Sequence, residues 1–188
     1  MTGETTIDRN TLDRVASRLD RPIVLVGLMG VGKSTVGKRL ASLLRCSFID
    51  ADDAIEEAAQ RSIPEIFDEF GEAYFRDGER RVIARLMNDG SGIIATGGGA
   101  FVDAQTRALI LERGLAVWIH CDLDILVERT SRRDTRPLLK SGDPRVILAD
   151  LFVQREPFYA QAQIKVISDD SPHADTAGRI IEATDQWL

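Results

Sequence analysis

The stretch Ile23-Val24-Leu25-Val26-Gly27-Leu28-Met29-Gly30-Val31-Gly32-Lys33-Ser34 constrains this chain more than any other. Its first four residues are a compact, β-branched apolar run, the pattern of a strand buried on both faces. Gly27 to Ser34 then matches G-x-x-x-x-G-K-[ST] in full, and a helical pattern follows from Lys33 to about Leu44. Strand, glycine turn and helix in that order are the context in which such a motif binds phosphate. The glycines let backbone N–H groups turn inward around phosphate oxygens. The helix start adds the positive end of its dipole. Gly30, Val31, Gly32, Lys33, Ser34 and Thr35 are therefore candidate nucleotide contacts. Lys33 has the reach for the β- and γ-phosphates, and Ser34 offers a hydroxyl ligand to Mg²⁺.

Further strands are expected at Ser47 to Ile49, Ile93 to Ala95, Leu115 to Ile119 and Ile164 to Ile167. Helical patterns lie between them. Ser62-Ile63-Pro64-Glu65 has the capping-box form, so a helix begins there and stops near Gly71, and a longer one spans Glu72 to Asn88. Helices are also expected over Asp103 to Arg113, Leu123 to Ser131, from Pro144 onward, and over Ala177 to Leu188. Ahead of the first strand, Leu12, Val15, Ala16 and Leu19 fall at i, i+3, i+4 and i+7, an amphipathic helix within residues 1–21. Alternating strands and helices predict an α/β fold, a parallel sheet with helices on both faces. Ligands of such sheets gather at the carboxyl ends of the strands.

The 188 residues fit a single domain. A formal net charge of −6 argues against a surface that coats nucleic acid. The two cysteines, Cys46 and Cys121, lie beside apolar runs and are expected to be reduced and buried. With no C-x-x-C spacing and only two histidines, a Cys/His metal site is not expected. The first 21 residues lack a signal-peptide core, and no apolar run reaches transmembrane length, so the cytoplasm is the expected compartment and a membrane partner is not.

Asp50 and Asp52 fall where the second strand ends, next to where the first delivers its loop. Two apart on an extended chain, they face the same side. Paired carboxylates near a magnesium-bound phosphate suit phosphoryl transfer, one toward the metal and one accepting or orienting a hydroxyl proton. The competing reading is that Asp52 or Asp53 only caps the next helix. Gly97-Gly98-Gly99 after the third strand is more glycine than a turn needs, and close approach of a ligand explains it. Arg76 and Arg155 are each unremarkable alone, though an arginine presents a planar fork that suits a carboxylate. Glu79, one turn after Arg76, is placed to hold that guanidinium. The charged stretch from Ser131 to Asp143, with Arg129, Arg132, Arg133 and Arg136 in and beside it, has little periodicity and reads as a lid. A guanine-reading N-K-x-D and an L-S-G-G-Q signature are both missing, which argues against signalling GTPases and transporter-type ATPases.

In order and spacing, several motifs resemble the shikimate kinase family from Ile23 to about Ile167. They are Gly27 to Thr35, Asp50-Ala51-Asp52, Phe75-Arg76 with Glu79, Gly97-Gly98-Gly99, Arg136-Pro137-Leu138-Leu139, and Arg155 before Pro157 and Tyr159. The resemblance implies a three-layer αβα P-loop NTPase fold of the nucleoside-monophosphate-kinase type, with a five-stranded parallel sheet. It implies one kinase domain over 1–188, a substrate-binding helical region at about 50–89 and a lid at about 131–143. It implies transfer of the ATP γ-phosphoryl group to the 3-hydroxyl of shikimate with Mg²⁺, in aromatic amino-acid precursor synthesis, by a monomer. By the same resemblance Asp52 meets the substrate hydroxyl, while Ser34 and Asp50 take the magnesium side. Arg76 and Arg155 together clamp the shikimate carboxylate, as the resemblance implies, and Gly98 and Gly99 line the shikimate pocket. Arg129 lies against the adenine, and Arg136 and Lys33 meet the transferring phosphoryl charge. A gluconate or nucleoside-monophosphate kinase is the alternative, and the arginine clamp with the triple glycine favours shikimate. Against a silent nucleotide-binding regulator stand the intact Lys33, Ser34, Asp50 and Asp52.

Overall fold

The computed structural model describes residues 7–90, 92–131 and 142–188. Helix α1 (Arg9–Arg18) precedes β1 (Ile23–Val26), α2 (Lys33–Leu44), β2 (Ser47–Asp50), α3 (Ala51–Ala59) and α4 (Ile63–Asn88). There follow β3 (Gly92–Ala95), α5 (Ala104–Arg113), β4 (Leu115–His120), α6 (Leu123–Ser131), α7 (Pro144–Tyr159), β5 (Ile164–Ile167) and α8 (His173–Trp187). The strands form one five-stranded sheet in the order β2-β3-β1-β4-β5, every pairing parallel. From β1 the chain crosses left to β2, then steps rightward through β3, β4 and β5. Right-handed crossovers therefore put α2 on one face and the later connections on the other. Helix α8 closes the first face against α2 and α1.

β1 lies at the centre of this sandwich, which is why Ile23, Val24, Leu25 and Val26 are all fully buried. Its direct neighbours are β3 and β4. Asp50 at the end of β2 is thus one strand further from β1 than strand-order reasoning placed it, because β3 intervenes. The connection reverses direction at β1, and the crevice at that reversal holds the candidate residues.

Three local details differ from the sequence reading. First, the cap of α3 is Asp50, neither Asp52 nor Asp53: the Asp50 carboxylate accepts from the Asp52 N–H at 3.1 Å. Asp50 and Asp52 are linked by this capping turn, and strand alternation does not relate them because Asp52 is already helical. Second, α8 starts at His173, ahead of Ala177; Pro172 leads into it with φ −53°, while the polar first turn carries no apolar period to read. Third, Cys46 is only half-buried, whereas Cys121 is buried; both are free thiols.

The Ser62–Glu65 capping box forms at both of its contacts. Gly71 interrupts α4 at φ 80°, ψ 175°, a conformation that is essentially glycine's alone, so the helix ends there and restarts at once. The restart carries Phe75 and Arg76. Ile55, Ile66 and Phe75, with Phe67 packed beside them, form a small core between α3 and α4, separate from the main one. Helix α1 docks on the domain through buried Val15 and a 2.6 Å ion pair from Arg14 to Asp185 of α8. Among the described residues no helix is long and apolar enough to cross a membrane.

Candidate active site

The loop after β1 needs positive φ at Gly27 (139°), Gly30 (86°) and Gly32 (95°). Gly32 caps α2 with no side chain of its own. Its backbone N–H groups and helix dipole are thereby left to an external anion. The Lys33 ammonium lies across the loop, donating to the carbonyls of Gly27 (2.8 Å) and Leu28 (2.9 Å). Val31 is buried, so only its backbone can serve a phosphate, whereas Ser34 and Thr35 open the helix in exposed positions. The His173 ring covers Gly32: a Cβ there would lie 2.8 Å from its Cε1. Arg129, near the end of α6, donates to Ser168 Oγ at 3.1 Å and to the Asp169 carbonyl, in the loop that leads to His173. It is thus tied to the nucleotide side of the crevice.

Two carboxylates meet this loop. Ser34 Oγ donates to Asp50 Oδ2 at 2.6 Å. A hydroxyl and a carboxylate in contact at the phosphate loop are an all-oxygen pair that suits a hard cation. Mg²⁺ takes few protein ligands and completes its shell with phosphate and water, so the pair fits without a larger cluster. Indeed, no group of three or more His, Cys, Asp or Glu able to hold a metal occurs among the described residues. Asp52 stands in the first turn of α3, against the glycine loop: a Cβ on Gly97 would sit 2.8 Å from its Oδ1. Burial pushes the Asp52 carboxyl above the usual range, the Asp50 charge adds to that, and Lys33 opposes it. Asp52 is therefore more basic than an ordinary aspartate, and close enough to Lys33 to feel its charge.

The arginines approach from two other elements. Arg76 Nη1 bonds Glu79 Oε2 at 2.7 Å, with Glu72 a longer partner at 3.4 Å. Glu79 is 1% exposed, and burial raises its carboxyl pKa in spite of Arg76. Its Oε1 is buried without a hydrogen-bond partner among the described residues. Gly99 makes room for the Arg76 guanidinium, which any Cβ there would strike. Arg155 comes from α7, and its Nη1 lies 3.0 Å from the place of a Gly98 Cβ. Arg76, Arg155 and Gly99, with Glu72, Val102 and Asp103, line one cleft of about 210 Å³. A larger cleft of about 350 Å³, between β4, β5, α6 and α7, contains none of the candidate residues.

The fold thus gathers Lys33, Ser34, Asp50, Asp52, Arg76, Gly98, Gly99 and Arg155 at the carboxyl edge of the sheet. Arg132, Arg133, Arg136 and Pro137 to Leu139 lie outside the described residues. Sequence reasoning missed Thr96, whose N–H and hydroxyl both donate to the Leu25 carbonyl (3.2 and 3.0 Å). It pins the glycine loop to the root of the phosphate loop. A hydroxyl between an apolar strand and three glycines was the signal available.

Comparison with known proteins shows which family the chain resembles over its length. The family model described as Shikimate kinase matches residues 29–185. A protein of Novosphingobium aromaticivorans named shikimate kinase is 59% identical over 186 residues, covering 97% of this chain and 96% of its own. Another so named, from Caulobacter vibrioides, is 52% identical over 174 residues, or 93% of this chain and 87% of its own. The solved structure of shikimate kinase from Acinetobacter baumannii in complex with shikimate has a TM-score of 0.81 at 37% identity, covering 86% of this chain and 91% of that one. With the phosphate loop, the paired carboxylates and the arginine cleft on one sheet edge, and likeness over nearly its whole length, the chain belongs to the shikimate kinase family.

Proposed function

We propose that this chain transfers the γ-phosphoryl group of ATP to the 3-hydroxyl of shikimate, giving shikimate 3-phosphate and ADP. The observation that carries the acceptor is the cleft where Arg76, Arg155 and Gly99 meet, with Asp52 against the same glycine loop. A protein of net charge −6 can bind an anion because these two guanidinium groups are concentrated in one place. They take the shikimate carboxylate, Glu79 steadies Arg76, and Gly98 and Gly99 let the ring approach the backbone. The acceptor hydroxyl is thereby aimed at Asp52.

Asp52 holds or accepts the proton of that hydroxyl, and the freed oxygen forms a bond to the γ-phosphorus as the bond to the β–γ bridging oxygen breaks. Lys33 leaves the Gly27 and Leu28 carbonyls for the β- and γ-phosphates. Gly30, Val31, Gly32, Ser34 and Thr35 cradle the phosphates through backbone N–H groups and hydroxyls, and Arg129 lies beside the adenine. Ser34 and Asp50 hold Mg²⁺, which when bound neutralises phosphate charge. Arg136, from the lid at about 131–143, meets the charge that develops in transfer. Residues of about 50–89 form the substrate-binding region. A cytoplasmic monomer, acting without nucleic acid or membrane, is part of this reading; sedimentation tests the monomer.

The deciding experiment follows ADP release from ATP and Mg²⁺ with shikimate, gluconate or AMP added separately. Strong turnover with shikimate and none with the other two is expected. Turnover with gluconate or AMP instead would leave the phosphate loop as read and discard the acceptor.

A further inference from the structure

Tyr159 is 1% exposed and among the largest side chains sealed in the protein. A buried phenol keeps its hydroxyl only where it finds a partner. Here the O–H donates to the carbonyl of Gly98, in the middle of the triple-glycine loop. The ring packs toward Trp118 of β4, with centroids 6.0 Å apart. Arg155 stands one turn earlier on α7, on the same helical face. Its guanidinium lies against the phenol and opposes the rise in pKa that burial causes. Gly98 is also the residue at which α7 meets the phosphate loop: a Cβ there would lie 3.0 Å from Arg155 Nη1, 3.6 Å from Met29 N and 3.7 Å from the Gly27 carbonyl.

A peptide unit is planar, and in its trans form the N–H points opposite to the C=O. Cis peptide bonds are missing among the described residues. A carbonyl held at Gly98 therefore determines where the next N–H, that of Gly99, points. Among the described residues the Gly99 N–H has no hydrogen-bond acceptor, while Gly99 itself lines the cleft between Arg76 and Arg155. We propose that Tyr159 is a positioning residue for the acceptor: its O–H, by holding the Gly98 carbonyl, turns the 98–99 peptide so that the Gly99 N–H is offered to an acceptor oxygen. Helix α7 then supplies both the charge that binds the anion and the phenol that aligns the backbone donor beside it. This rests on the acceptor reading above.

The test is Tyr159→Phe, which removes one oxygen and keeps the ring against Trp118. Losing an aligned donor raises the KM for shikimate about threefold to tenfold and leaves the KM for ATP unchanged. Ile110→Val, in the core of α5 and remote from the cleft, is the control for lost stability; it lowers Tm without moving either KM. An unchanged shikimate KM in Tyr159→Phe, or both KM values drifting together, overturns the proposal. A second readout needs no acceptor: the Gly99 amide signal in the NMR spectrum broadens or shifts in Tyr159→Phe, and an unmoved signal overturns the proposal even if shikimate proves not to be the acceptor. If the variant does not fold, the parent protein decides. Its Tyr159 hydroxyl proton exchanges slowly and shifts on saturation with shikimate; a proton that does not respond refutes the assignment.

Discussion

Replacing Asp52 by Asn separates a catalytic carboxylate from one that only shapes a helix start. The change is nearly isosteric, so Asp50 still accepts the residue-52 N–H and α3 keeps its cap. What disappears is a half-buried negative charge facing Lys33. A positioned general base is worth about 10²- to 10⁴-fold in rate, which is about 2.7–5.4 kcal/mol of barrier at 1.36 kcal/mol per tenfold. Turnover should fall by that much while ATP binding holds. Stability should move the other way. Burial, then the Asp50 charge, raise the Asp52 pKa in the fold. A raised pKa means that its contribution to stability is full below the unfolded value and is lost as pH rises through the folded one. At neutral pH the ionised carboxylate thus destabilises the protein, and Asn should raise Tm. The same shift puts the acid limb of kcat/KM, which reports the free protein, above the ordinary aspartate pKa, with activity falling as pH drops through it; the variant should lack this limb. Steady-state ADP release across pH, with thermal melts of both proteins, reads all three. Unchanged kcat together with a lower Tm would refute the reasoning and make Asp52 a structural residue.

Arg155→Ala removes half of the proposed carboxylate clamp and should raise the KM for shikimate about ten- to a hundredfold, the scale of a lost charged hydrogen bond, while sparing the KM for ATP; equal changes in both would contradict the clamp. Gly71→Ala meets no atom within 4 Å, yet should cost about 1–3 kcal/mol because φ 80°, ψ 175° is closed to alanine, lowering Tm by about 2–12 °C. An unshifted melting curve would show that the break in α4 relaxes freely. Asp169→Asn tests a surface link: Arg179 first, then Ser171, hold the Asp169 carboxyl far below its usual range. Its contribution is present above the unfolded pKa and is lost as pH falls through the folded one, so parent and variant should differ by about 0.2–1 kcal/mol at pH 7, since both partners are exposed. The two should converge in strong acid; a difference that persists there would point to some other cause.

Much of this molecule was legible in order along the chain. The run Ile23 to Val26 announced the central strand because a strand covered on both faces needs no polar position. The phosphate loop was legible because its residue types follow from local backbone geometry: Gly27, Gly30 and Gly32 all take positive φ. The Ser62–Glu65 box and the stop at Gly71 were local too. So was the pairing of Arg76 with Glu79, which depends only on the pitch of a helix.

What spans the fold was not legible from spacing. The insertion of β3 between β2 and β1 follows from which strands pair, and pairing is a property of the whole sheet. The capping role of Asp50 depended on where β2 ends, and any of three nearby aspartates could have capped α3. That Arg155 and Arg76 face one cleft, and that Tyr159 reaches the Gly98 carbonyl, depends on how α7 and α4 close over the sheet. The sequence alone determined the residues that local geometry demands: the glycines of the phosphate loop, the lysine and serine after them, and the helix caps of fixed spacing. Only the tertiary structure decided which distant charges and donors converge, and how far burial shifts the carboxyls of Asp52 and Glu79, because proximity and loss of water are consequences of packing.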